Sequence, residues 1–184
     1  DVSVGKMFTA LAIEQEMKKR GFDADFRATG QTGIFIAGSG VSIDAVVADF
    51  ISGAVEWLCP ENSENHWDIV EGQGSLFNVS YAGVTLGLIH GSQPDALVVC
   101  HEAGRPHMRS MPHFPLIDLP TCIDVNLQAA RLTNPEVRCV GAAINTSRLS
   151  EEEGRVFCGK ISQEIGLPAV DPLRDGVASL VDQI

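Results

Sequence analysis

Short apolar runs alternate with helix-patterned stretches along the whole of this sequence, and almost every apolar run is followed at once by glycines or polar residues. Two parallel strands cannot be joined by a tight hairpin. They need a crossover, most often a helix, so strict alternation selects a parallel sheet. In sheets of that kind ligands gather outside the carboxyl ends of the strands, which is where the polar and glycine clusters fall. The expected fold is α/β, a doubly wound, mostly parallel sheet in three α/β/α layers. No repeat, linker or low-complexity stretch divides the 184 residues, a length that one domain with a real core accommodates.

The periodicities place the elements. A helix follows Gly5, with Phe8, Leu11, Ala12 and Gln15 on one face, and stops at Gly21. A strand over 24–29 leads into the glycine-rich loop "TGQTGIFIAGSG". A helix over 43–58 has Ser42 as its N-cap and places Asp44 near its start, the better placed of Asp44 and Asp49 to face a ligand. "HWDIVE" reads as a strand ending at Glu71, 85–90 as a helix, and "DALVVCH" as a buried strand of a parallel sheet. A proline- and histidine-rich loop fills 102–120. A helix over 122–132, a strand over 137–144, a helix over 150–165, a short strand at 168–170 and a closing helix from Gly176 complete the series.

Charge and cysteine usage exclude several classes. With 24 acidic against 13 basic residues and a net charge of −11, the chain lacks the surplus of Lys and Arg that binds a nucleic-acid backbone. A single phosphorylated ligand is still compatible, because a local nest of N–H groups and one lysine can hold it. Five scattered cysteines without a C-x-x-C pair fit reduced thiols of a cytoplasmic protein rather than disulfides or zinc. No apolar run reaches the ~18 residues of a membrane span, and the apolar helix faces point to a homo-oligomer.

Five stretches carry chemistry. Gly5-Lys6 at a helix start is how a phosphate-cradling turn ends, the glycine letting N–H groups converge and the lysine reaching the anion. Met7 replaces the hydroxyl that usually follows, leaving Thr9 as the nearest one. Glu71, at a strand end before Gly72, is placed to take a proton or hold a metal-bound water, or to be a solvated turn carboxylate. Asn145 closes a buried strand and is placed to read a nucleobase edge. Beside it Thr146 and Ser147 are candidate helix caps, and Ser150-x-x-Glu153 is a capping box. "CHEAGRPHMRSMPHFP" offers His101 and His107 as general bases and Arg105 and Arg109 as carboxylate clamps. Its histidine spacing has no geometry that would converge on a metal, so none is expected. In the loop after the first strand, glycines permit close approach of a ligand and Gln31 supplies a neutral hydrogen bond.

On "GKM", "ATGQTGIFIAGSG", "AVVADFISGAVE", "VEGQGSLFNVSYAGVTLGLIHGSQPDALVVCH" and "NTSRLSEEEG", the chain resembles the C-terminal P-loop domain of the DgcN-like family over nearly its whole length. The fold is also similar to dethiobiotin synthetase, whose phosphate loop ends Val-Gly-Lys and whose later strand end carries Glu-Gly-x-Gly. These resemblances imply a sheet of P-loop NTPase type, with Gly5, Lys6, Thr9 and Asn145 at the cofactor and Glu71 at the metal or acid position. The whole chain, 1–184, would then be a C-terminal P-loop domain lacking its first strand and the front of its phosphate loop, a separate N-terminal domain preceding it. Asp1 would be the last residue of the family's Gly-Thr-Asp triplet.

The family further implies an N-acetyltransferase that moves an acetyl group from acetyl-CoA to D-glutamate in D-amino-acid breakdown. Under that reading Glu71, His101 or His107 is the base, and Arg105, Arg109 and Arg148, with Gln31, receive a small-molecule substrate. Two alternatives accompany it: a ligase or kinase using Mg and ATP, in the manner of dethiobiotin synthetase, and a regulatory nucleotide-binding domain without chemistry of its own.

Overall fold

A computed structural model describes residues 1–184. Helix α1 (Lys6–Lys19) leads into β1 (Asp23–Arg27), then α2 (Gln31–Ala37), α3 (Ile51–Leu58), β2 (His66–Val70), α4 (Ala82–Ser92) and β3 (Ala96–Glu102). A small hairpin, β4 (His107–Met108) and β5 (Met111–Pro115), precedes α5 (Leu119–Ala130), β6 (Arg138–Asn145), α6 (Glu151–Ile165), β7 (Ala169–Val170) and α7 (Ala178–Val181).

The expected parallel sheet is present as two pieces. β1 pairs with β2 in parallel, and β3, β6 and β7 form a second parallel sheet in the order β3-β6-β7. Helices α1 and α7 cover one face of both pieces. Their Ile13, Met17, Leu180 and Val181 pack on Ala24, Trp67 and Ile69 from the first sheet and on Val98, Cys100 and Ala143 from the second. On the opposite face, Leu119, Cys158 and Ile161 of α5 and α6 bury Ala142, Ile144 and Ala169, and α3 and α4 enclose Val70. Sheets buried on both faces take continuous apolar strands, as "ALVVCH" and "CVGAAI" provide.

Several elements differ from their sequence reading. The buried stripe of α1 is Thr9, Ala10, Ile13 and Met17, while Phe8 is exposed; helix rotation is set by the sheet beneath it, not by the largest side chain. "QTGIFIA" is helical rather than a loop, ending at Gly38 with φ 75°. The segment 43–58 makes two single 3-10 turns, 43–45 and 48–50, before α3 begins at Ile51. Ser42 gives its hydroxyl to Asp44 at 2.9 Å instead of capping a helix, and Asp44 and Asp49 are exposed. Helix α4 extends beyond 85–90 at both ends, and α5 starts earlier than 122 because Asp118 caps it by accepting from the Thr121 amide at 2.8 Å. The capping box at Ser150 and Glu153 is formed. All five cysteines are free, and no helix is long and apolar enough to cross a membrane.

Gly141 marks where the β3–β6 register shifts. Its φ of 146° is open only to glycine, and a Cβ there would stand 2.5 Å from both Leu180 Cδ2 and the Pro168 carbonyl oxygen. Gly141→Ala is therefore expected to destabilise the fold by about 1–3 kcal/mol or more, read as a lower urea midpoint at unchanged slope. The exposed Gly159→Ala in α6, where a Cβ meets nothing within 4 Å, serves as the neutral or stabilising comparison.

Candidate functional site

The loop ahead of α1 is shaped by its backbone. Ser3 and Gly5 both have positive φ, 54° and 106°, and the first helical hydrogen bond runs from the Thr9 amide to the Gly5 carbonyl at 2.9 Å. The N–H groups of residues 5–8 accordingly have no backbone acceptor, as at the start of any α-helix. They converge at the positive end of a 14-residue helix, an arrangement that attracts an anion.

Arg105, just beyond β3, holds this loop in place. Its guanidinium donates to the Asp1 carboxylate at 2.7 Å, the Val2 carbonyl at 2.8 Å and the Ser3 carbonyl at 3.3 Å, and it pairs with Glu102. The Asp1 carboxylate is almost wholly enclosed, 1% exposed, and also accepts from the Arg109 amide at 2.8 Å and the Asn78 side chain at 3.1 Å. Arg105, expected to clamp a substrate, is thus committed to the protein's own loop.

Lys6 lies across Gly72: a Cβ on that glycine would stand 3.1 Å from Lys6 Cδ. The ammonium reaches the Asp1 carbonyl at 2.7 Å. Burial pushes its pKa below the ordinary value, and nearby Cys100 and Glu71 act in the opposite direction. Thr9 is not brought to the loop. It is buried on the core side of α1, and its hydroxyl donates back to the Gly5 carbonyl at 3.0 Å.

Glu71 has a task that the sequence did not reveal. Its Oε2 accepts from the Thr29 and Gly30 amides at 3.0 and 3.1 Å, while the Thr29 hydroxyl donates to the Glu71 carbonyl at 2.6 Å. The carboxylate ties the end of β1 to the end of β2 and sits under the start of α2. Gly33 is required by that packing, because a Cβ there would fall 2.3 Å from Oε2. The glycines of "TGQTG" make room for Glu71 as much as for a ligand. Gln31 is exposed at the first position of α2.

On the second sheet, His101 and Asn145 lie at the carboxyl ends of β3 and β6, on adjacent strands. The His101 ring stacks on Phe157 with centroids 6.2 Å apart and planes 5° from parallel. Its pKa lies below the usual 6.5, through burial first, with the Arg105 guanidinium acting in the same direction. Asn145 accepts from the Ser147 amide at 3.0 Å through its side-chain oxygen, leaving its NH2 group for another partner. Thr146 is buried, and its amide and hydroxyl both donate to Asp171, so it joins β6 to the segment after β7 rather than capping a helix.

Arg148 is 60% exposed and pairs with Glu102 at 2.7 Å, so its guanidinium keeps free donors. The Arg109 side chain is exposed, and only its amide is engaged. His107 stands in the β4–β5 hairpin with Nδ1 2.9 Å from the Met108 carbonyl oxygen. No group of three or more His, Cys, Asp or Glu side chains converges as metal ligands.

Residues 1–181 match the family described as "Domain of unknown function (DUF1611_C) P-loop domain". A D-glutamate N-acetyltransferase of Pseudoalteromonas sp is 58% identical over 181 residues, 98% of this chain and 54% of that protein. One from Tritonibacter scottomollicae is 52% identical over 184 residues, 100% of this chain and 55% of that protein. The crystal structure of a DUF1611 family protein from Anabaena variabilis ATCC 29413 superposes with a TM-score of 0.94 at 39% identity, covering 100% of this chain and 54% of that one. The chain therefore spans about half the length of the relatives it matches.

The Glu71 geometry predicts a split between two substitutions. Glu71→Ala leaves the Thr29 and Gly30 amides without their acceptor, at about 1–3 kcal/mol for each buried donor left unpaired. Glu71→Gln keeps an acceptor oxygen. Urea unfolding is expected to show a large loss for the first and a much smaller one for the second.

Proposed function

The chain belongs to the DUF1611 P-loop domain family, and on that footing we propose that it is the phosphate-binding part of an N-acetyltransferase that moves an acetyl group from acetyl-CoA to D-glutamate in D-amino-acid catabolism. The observation that carries this reading is the set of free N–H groups at residues 5–8 with Lys6 beside them, facing the rim on which His101 and Asn145 also stand. The pyrophosphate of CoA is the kind of dianion such a helix start holds. Asn145, through its free NH2, is the group placed to meet an adenine edge.

The transfer forms an N–C bond as the C–S bond of the thioester breaks. One proton must leave the substrate ammonium before attack, and one is returned to the CoA thiolate. His101 is the base this rim offers. Its half-buried position keeps the imidazole neutral at physiological pH, which is the form that accepts a proton. Arg109 and Arg148, which keep free guanidinium donors, are the cations for the two carboxylates of the acceptor. Lys6, with the loop amides, takes the phosphates without any hydroxyl at the following position, which is Met7. That suits a loop that binds phosphates and leaves them uncut.

Mass-spectrometric product analysis with acetyl-CoA and either D- or L-glutamate tests the reading on the full-length polypeptide. N-acetyl-D-glutamate is expected from the natural protein, with kcat/KM for acetyl-CoA lowered by about tenfold or more in Lys6→Ala, the equivalent of ~1.4 kcal/mol. Release of ADP or phosphate from ATP without acetylated product would instead indicate a ligase or kinase. The pH profile tests His101. A base must be deprotonated, and a pKa held below 6.5 in the free protein keeps it so into mildly acidic solution, so the acidic limb of kcat/KM is expected below pH 6.5. A limb above 6.5 would remove His101 from the role.

A further inference from the structure

Glu102 closes β3 opposite Asn145, the last residue of β6, and its carboxylate is shared between two cations. Oε2 pairs with the Arg105 guanidinium, which shapes the loop ahead of α1. Oε1 stands 2.7 Å from Nε of Arg148. The Glu102 side chain is only 7% exposed, so water screens neither pair well. Asp1, Arg105, Glu102 and Arg148 thus form a line of alternating charge. Its first three members are enclosed, and it ends at the rim in the exposed cation of Arg148. The member that would continue the alternation is an anion from solution.

The backbone beneath Arg148 is fixed independently of that line. The Ser147 amide donates to the Asn145 side-chain oxygen at 3.0 Å and the Leu149 amide to the Thr146 carbonyl at 2.9 Å. Arg174 donates to the carbonyls of Leu149 and Ser150 at 2.9 and 3.1 Å. With the turn held in this way, only the torsions of the Arg148 side chain remain to be set, and a long flexible stem has many of them. Glu102 sets them through Nε, one edge of the guanidinium, and leaves both Nη groups for a ligand. A planar fork of that kind matches a carboxylate, and a cation ordered in advance binds its anion without having to be immobilised first.

We propose that Glu102 is a positioning residue for the acceptor: it holds Arg148 so that the Nη groups receive a carboxylate of the amino-acid substrate. This inference rests on the acetyl-transfer reading and adds to it the group that orients the substrate's cation. The two arms of Glu102 are unequal. Arg105 also has the Asp1 carboxylate and the carbonyls of Val2 and Ser3, whereas Glu102 is the one acidic partner of Arg148. A glutamine at position 102 has one acceptor oxygen and a donor NH2 in place of two acceptors, so it can serve one guanidinium but not both. The loss falls on Arg148, and the phosphate loop keeps most of its tether.

Steady-state kinetics of the full-length polypeptide test the proposal. Glu102→Gln is expected to raise KM for D-glutamate about tenfold, with KM for acetyl-CoA changed less than about threefold and kcat lowered by less than KM is raised. Arg148→Ala is expected to raise the same KM, and the double variant to be no worse than Arg148→Ala alone, because Glu102 acts through Arg148. An unchanged KM for D-glutamate, a loss confined to kcat as from a merely damaged fold, or effects that multiply in the double variant overturns the proposal. Arg148→Lys, made on an exposed side chain, reads the same joint if Glu102→Gln does not fold. An ammonium has no separate edges for Glu102 and a substrate, so KM for D-glutamate is again expected to rise, and an unchanged value overturns the proposal. A natural protein that forms no N-acetyl-D-glutamate removes the acetyl-transfer reading and this inference with it, whereas product formed with any of the contrary kinetics removes this inference alone.

Discussion

The guanidinium of Arg105 is the contact on which the rest of the site depends. A loop that offers bare amides to an anion has no hydrogen bonds of its own to hold it, so its shape must be imposed from outside. Arg105 does this by gathering the Asp1 carboxylate and the carbonyls of Val2 and Ser3 onto the end of β3, with Glu102 behind it. Enclosure strengthens each of these charged contacts, and the arrangement is costly to break because removing the cation would leave the buried Asp1 carboxylate with no positive partner and Glu102 with Arg148 alone.

A second tether works at the other side of the rim. Glu71 binds the amides that follow β1 and thereby sets where α2 begins, and Gln73 extends the link to Thr29 and Thr85. Between the two tethers lies Lys6, its stem resting on Gly72 and its ammonium at the Asp1 carbonyl. The two sheet pieces thus meet at their carboxyl ends through side chains and loops, and on one face through α1, although no strand pairing joins them. Residues from both pieces share one rim for that reason, with Glu71 and Gly72 from the first and His101, Glu102 and Asn145 from the second.

Local chemistry was legible in the sequence and long-range assignments were not. Alternation of apolar and helical runs was enough for a parallel α/β architecture, and Gly21, Ser150 and Glu153 marked helix ends correctly because capping acts within a few residues. The rotation of α1 is not legible locally, since Phe8 looks like a core residue until the sheet turns Thr9 and Ile13 inward. "QTGIFIA" reads as a loop because its glycines outweigh its short helical run, yet it folds as α2. The task of Arg105 was invisible for a related reason: it depends on Asp1, 104 positions away, and a basic residue in a histidine-rich loop looks the same whether it meets a substrate or its own chain. Glu71 and Asp171 follow the same rule, their partners lying 42 and 25 positions away.

If Arg105 shapes the loop proposed above to hold the donor's phosphates, its loss must weaken CoA binding, which calorimetric titration of CoA into the natural full-length protein and its Arg105→Ala variant measures. The variant, still folded by circular dichroism, is expected to bind CoA at least about tenfold more weakly, a loss of ~1.4 kcal/mol. Equal affinity in the two proteins would contradict it.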